Sequence, residues 1–149
     1  MSLPLSATAS EWSIAVPQGG SADPFVKSLI TSKDLSNAGI KLKLVEQTEP
    51  FHRVEMVFKG ETDFGLVTLD SLAAIKSADH SQLTSIFTQP FLFDVNSDVF
   101  AVQAAPLGAA VLNDVARSGL TPLGFWNRGT VQLVSKKPVS KIADFEKLT

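Results

Sequence analysis

From Trp12 to Val16 large apolar side chains alternate with small or polar ones, the period of a strand that buries one face. The run stops at Pro17-Gln18-Gly19-Gly20, a loop signal. Asp23 before Pro24 then supplies a helix N-cap followed by proline at the first helical position. The spacing of Phe25, Val26, Leu29 and Ile30 predicts a helix from Pro24 to about Ser36, stopped by Asn37-Ala38-Gly39. Ile40 to Val45 alternates strictly, with Lys41 and Lys43 on the outer positions, and reads as a second strand. Pro50 opens a helix that carries Phe51, Val54, Val57 and Phe58 on one side and closes at Gly60. Asp63 to Val67 is a short apolar strand, Ser71 to Ser77 a helix, and Leu83 to Phe87 a further strand before the Pro90 turn. Two helices follow, one capped by Asn96 or Ser97 and one running from Pro106 to Gly119. The stretch LGFWNRGTVQLVS, Leu123 to Ser135, is the fifth predicted strand, and Ser140 starts a last helix.

Strands that alternate with helices over short connections are the signature of βαβ units. The expected fold class is therefore α/β, a mostly parallel sheet with helices on both faces and right-handed crossovers. In such sheets ligands bind outside the carboxyl ends of the strands. The loops expected there are Pro17–Asp23, Glu46–Glu49, Thr68–Ser71, Gln89–Asp94 and the interruption at Asn127–Gly129. That interruption is unusual, because it sets an amide, a guanidinium and a glycine inside an otherwise apolar strand. Arg128 is one of three arginines in the chain.

Composition narrows the function classes. The chain has 149 residues, 44% of them apolar and 19% charged, which suits one ordinary globular domain. A formal net charge of -2 with no block of like charges leaves no electrostatic footprint for nucleic acid. With no cysteine, disulfides, thiol catalysis and cysteine metal sites are excluded. No apolar run approaches the ~18 residues of a membrane-spanning helix. The amino-terminal MSLPLSATASEW is polar and rich in small residues, and Ala7-Thr8-Ala9 fits a signal-cleavage pattern. The alternative is a frayed terminus.

Candidate chemistry is sparse. There is no G-x-S-x-G elbow, and His52 and His80 lie at a helix start and in a polar loop. His52 and Glu55 share a helix face at i, i+3, but two ligands without a third do not make a metal site. Neither the dinucleotide fingerprint nor the P-loop spacing is present, so no cofactor is implied. Gly19-Gly20 after a strand and before a helix reads as a turn first and as an anion nest second. Asp63 and Asp70 flank a strand and read as turn or cap residues. Thr68 ends an apolar strand on the crevice side and offers a neutral donor and acceptor. One enzymatic reading stays open, a small α/β hydrolase using Asp63 or Asp70 with His52.

Three segments, QPFLFDVNSDVFAV, PLGAAVLNDVARSGLTPLGFWNRG and SKKPVSKIADFEKL, follow one another over about sixty residues to Thr149. Their order and spacing resemble the dicarboxylate-type (DctP-like) solute-binding proteins of TRAP transporters, and FKGETDFGLVT fits the same family more loosely. The resemblance implies an exported, periplasmic two-lobed binding protein that is not an enzyme. Such a protein captures a small organic acid between its lobes and hands it to membrane permease subunits. It also implies that the chain is the amino-terminal portion of such a protein. Residues 1–10 would be a leader or post-signal tail, 11–124 the first lobe, 125–135 a hinge strand and 136–149 the start of an incomplete second lobe. A sensor lobe that signals rather than transports is the rival within this class. Self-association through an exposed sheet edge is a further partner reading.

Within this frame Gln18 and Thr68 are expected as polar contacts at strand ends. Trp126 is expected as an apolar wall or as core packing, and Asn127 as a hydrogen-bonding residue at the hinge. The family commonly carries an arginine at the position that Val131 occupies here. Strand alternation puts Arg128 on the face of Trp126 and Val131 on that of Asn127, so Arg128 replaces the missing arginine only if Gly129 forms a bulge. Loss of one charge-assisted contact costs about 1.5–3 kcal/mol, roughly ten- to a hundredfold in affinity. Either the ligand differs from the usual carboxylate or another group binds it.

Overall fold

The computed structural model describes residues 10–73, 83, 86–87, 92–93, 96–129, 134–141 and 144. Among the described residues three parallel strands form the sheet in the order β2-β1-β3: β1 Ser10–Val16, β2 Ile40–Glu46 and β3 Phe64–Gly65. Helices α1 Pro24–Ile30, α2 Lys33–Asn37, α3 Pro50–Phe58, α4 Leu69–Ala73, α5 Asn96–Ala104 and α6 Pro106–Arg117 surround it. The α/β class expected from the alternating pattern is the one observed, and the central strand is the first in the chain.

The register explains how the two faces of the sheet differ. Trp12, Ile14 and Val16 pair with Leu42, Leu44 and Glu46, and Ile14 also pairs with Phe64. Ile14 and Val16 pack with Val26 of α1 in one buried cluster, flanked by Leu29, Leu42, Leu44, Phe64 and Leu66. The opposite face carries small residues where α3 crosses, since Ala15 pairs with Gly65. A Cβ at Gly65 would stand 2.9 Å from Val57 Cγ2 and 3.5 Å from the Arg53 carbonyl oxygen, so the glycine admits the helix. Val54, Leu72 and Val115 form a second buried cluster joining α3, α4 and α6.

Asp23 caps α1 as expected, its carboxylate accepting hydrogen bonds from the amides of Phe25 and Val26. The single helix predicted to run to Ser36 is instead two. Thr31 leaves helical geometry, and the Ser32 side chain accepts from the Leu35 amide to cap α2. A hydroxyl at the right place for a new cap outweighs the helical spacing of the apolar positions. Gly39 then turns the chain in the left-handed region, at φ 71°, before β2.

Two further expectations change. Leu83, Ile86 and Phe87, from the predicted fourth strand, lie in 3-10 geometry. Among the described residues, Phe87 makes ring contacts there, 5.5 Å from Phe125 and 6.0 Å from Phe93 between centroids. Residues 120–129 run as irregular chain after α6 and pair with no strand among the described residues. Gly129 has φ 92°, outside strand geometry. The remainder of the predicted helix from Ser71 to Ser77, beyond Ala73, lies outside the described residues, as do His80 and Val131.

Helices α5 and α6 meet at a bend of 68°. Gly108 permits it, because a Cβ there would fall 2.0 Å from the Gln103 carbonyl oxygen. Among the described residues no single helix is long and apolar enough to cross a membrane.

Candidate functional site

The strand order places the switch of direction at β1, with β2 on one side and β3 on the other. The crevice of such a sheet opens above the carboxyl end of that strand. The loop after β1 is the first thing there. Gly19 takes φ 73°, and Gly20 is buried so closely that a Cβ would meet Val16 Cβ at 3.0 Å. The turn presents its amides outward as an anion nest, and the anion is the protein's own. Glu46 at the end of β2 accepts from Gly19 N at 3.2 Å, Ser21 N at 3.2 Å and Gln18 Nε2 at 2.9 Å. The Ser21 hydroxyl, then the Gly19 and Ser21 amides, hold the Glu46 carboxyl below its ordinary pKa. Gln18, expected as a polar contact, is thus engaged with Glu46.

Arg53 is the residue that the sequence reading missed. It lies on α3 at i, i+4 to Val57, the flank that packs on Gly65, and only 2% of its surface is exposed. Its Nε donates to the Leu66 carbonyl at 2.9 Å, and its Nη1 donates to the carbonyls of Gln47 at 2.6 Å and Thr48 at 3.0 Å. These carbonyls follow β3 and β2, so one guanidinium ties the loops on both sides of β1. Burial, with the charge of Arg128 behind it, pushes the Arg53 pKa down, while Glu49 opposes the shift. The i, i+4 relation to Val57 was the signal available in the sequence, but an arginine beside an apolar stripe ordinarily reads as solvated.

Beside this edge lies an open depression of about 350 Å³ lined by Asp23, Pro24, Phe25, Trp126, Asn127 and Arg128. Trp126 stacks on Phe25 with centroids 4.7 Å apart and an interplanar angle of 23°. The Arg128 guanidinium sits 5.4 Å from the Trp126 ring centroid, in a stretch that forms no strand, so the alternation of strand faces does not set its direction. Its Nη2 is 4.0 Å from Asp23 Oδ2, so the carboxylate that caps α1 also pairs with Arg128. Asn127 Oδ1 accepts from the Gly129 amide at 2.8 Å, closing a local turn. Thr68 is exposed just past β3, and its carbonyl accepts from the Ser71 hydroxyl and the Leu72 amide. Gln18, Thr68, Trp126, Asn127 and Arg128 all lie on or beside loops that leave the carboxyl edge, or line the depression there.

Of the hydrolase reading, the pairing of Asp63 with His52 does not assemble. Asp63 stands at the amino edge of the sheet, where its Oδ2 accepts from the Ser13 amide at 2.7 Å and the Ser13 hydroxyl at 2.8 Å. Those bonds lower its pKa. His52 is at the other edge, its Nδ1 3.1 Å from Gln47 Nε2. Glu55, its helix neighbour, pairs with Lys59 at 3.8 Å. Among the described residues no group of three or more acidic or histidine side chains is arranged to hold a metal.

An open parallel sheet with charged, amide and aromatic groups at its carboxyl edge has the architecture of a ligand-binding α/β lobe. Residues 8–149 match the DctP family model, described as bacterial extracellular solute-binding protein, family 7, and the chain belongs to that family. Its members are solute-binding components of TRAP transporters and are binding proteins, not enzymes. No solved structure matches the chain.

Proposed function

We propose that this protein captures a small organic acid in the periplasm and delivers it to the permease subunits of a TRAP transporter. The carboxyl edge of the sheet carries the reading: two guanidiniums, Arg53 and Arg128, stand where the loops after β1, β2 and β3 converge. Phe25 and Trp126 add an apolar wall suited to the carbon skeleton of an acid, Asn127 lines the same depression, and Gln18 and Thr68 stand on the loops after β1 and β3. Residues 11–124 form the lobe, and residues 125–135 lead from it toward a second lobe. Closure follows from the solute touching both lobes, which stabilises the closed form over the open one. Calorimetric titration with a panel of mono- and dicarboxylic acids tests the reading. Saturable heats for at least one acid support it, and a panel without binding overturns it.

A further inference from the structure

Arg53 is nearly fully buried, yet none of the ion pairs among the described residues includes it. A buried cation ordinarily has a carboxylate partner, because desolvating it alone is costly. Here three backbone carbonyls take Nε and Nη1, and Nη2 makes no hydrogen bond among the described residues. The buried side-chain polar atoms left unpartnered among those residues are Thr62 Oγ1 and Asp114 Oδ1. Nη2 is not among them, so within a residue only 2% exposed it keeps a narrow opening to solvent. Because its bonds run to Gln47, Thr48 and Leu66, the guanidinium lies across the end of β1, at the mouth of the crevice.

Arg128 and Glu46, at the same edge, already have partners. Arg128 has Asp23 at 4.0 Å, and the Glu46 carboxylate has the Gly19 and Ser21 amides and Gln18. Glu49 acts on Arg53, but without an ion pair between them. We infer that Arg53 is an anion-binding residue of this lobe, its unbonded Nη2 edge taking a single carboxylate group of the solute above β1. The inference rests on the organic-acid reading and narrows it, since one unanswered cation matches one carboxylate. Arg128 and Arg53 repel each other across this mouth, and an anion between them relieves that repulsion. The carbonyl bonds fix the guanidinium in advance, so little rotamer entropy is lost when the anion arrives.

The chain has three arginines, which makes their side-chain NH signals separable by ¹⁵N NMR. Arg117→Lys and Arg128→Lys assign the spectrum, and acetate, lactate and succinate serve as probes on the unaltered protein, with calorimetry alongside. The expected result is a probe that binds and moves the Arg53 side-chain signals at saturation while those of Arg117 stay in place. Arg53→Lys, where circular dichroism shows a retained fold, should weaken that probe tenfold or more. A probe that binds with the Arg53 signals unmoved overturns the inference and leaves the organic-acid reading standing. Absence of binding by all three and by the wider acid panel removes both.

Discussion

Glu46 and Asp63 show how much a side chain's role depends on what it meets. Both are carboxylates on an ordinary polar pattern, and both end up accepting several hydrogen bonds at opposite edges of the sheet. Their folded pKa values lie below the ordinary 4.5 and 3.8, so the stability they lend is complete above those values. It is lost as pH falls through the lower folded values. Melting temperature followed by circular dichroism should therefore hold from pH 7 to 5 and decline below about pH 4.5. Glu46→Gln and Asp63→Asn should each flatten that acid limb, and an unchanged limb in both would remove these carboxylates from the account. Arg128 was the prominent cation in the sequence, yet Asp23 and Trp126 already hold it. Arg53 is the less conspicuous one, and it is buried only because three carbonyls from two loops converge on it.

At the level of elements, caps and turns were legible and pairings were not. Asp23-Pro24 marked the start of α1 correctly, and Gly39 and Gly60 marked ends, because these signals are local. Asp23→Ala should cost about 1 kcal/mol through the lost cap and release Arg128 as well. Urea denaturation checks the first effect, and a change in Trp126 fluorescence checks the second. The bend between α5 and α6 rests on Gly108, where a Cβ would overlap the Gln103 backbone. Gly108→Ala should destabilise by about 3 kcal/mol, the upper part of the range for overpacking, and a variant that unfolds at the wild-type urea midpoint would refute it. Among the described residues, the segments predicted as strands at 83–87 and 123–135 place Phe87 and Phe125 in ring packing. The described part of each docks through Phe87, Phe93 and Phe125 rings, and periodicity cannot tell ring packing from a ladder.

For the whole molecule, the expected behaviour is a binding equilibrium coupled to folding. An acid that binds the native lobe and not the unfolded chain adds stability that grows with its concentration. At a hundredfold excess over Kd the gain is about 2.7 kcal/mol. Thermal unfolding with increasing acid should show a melting temperature that climbs with the logarithm of concentration. A binding acid that leaves the midpoint fixed would contradict a site built on folded loops. High salt should weaken the partly exposed Asp23–Arg128 pair more than the buried Arg53 site, because screening reaches exposed charges first.

The chain by itself determined the α/β class, the polarity of its faces and the loops that reach the carboxyl edge. Those properties are written in local periodicity, caps and glycines, each readable within a few residues. Its motifs also pointed to the solute-binding family to which it belongs. Tertiary structure alone decided that β1 is central, that Ala15 and Gly65 let α3 approach, and that Glu46 fills the nest after β1. It also turned Arg53 from an ordinary helix arginine into the buried cation of the crevice. The reason is one of range. A carbonyl at Leu66, two more at Gln47 and Thr48, and a guanidinium at Arg53 meet only after the sheet has formed and the helix has docked on it.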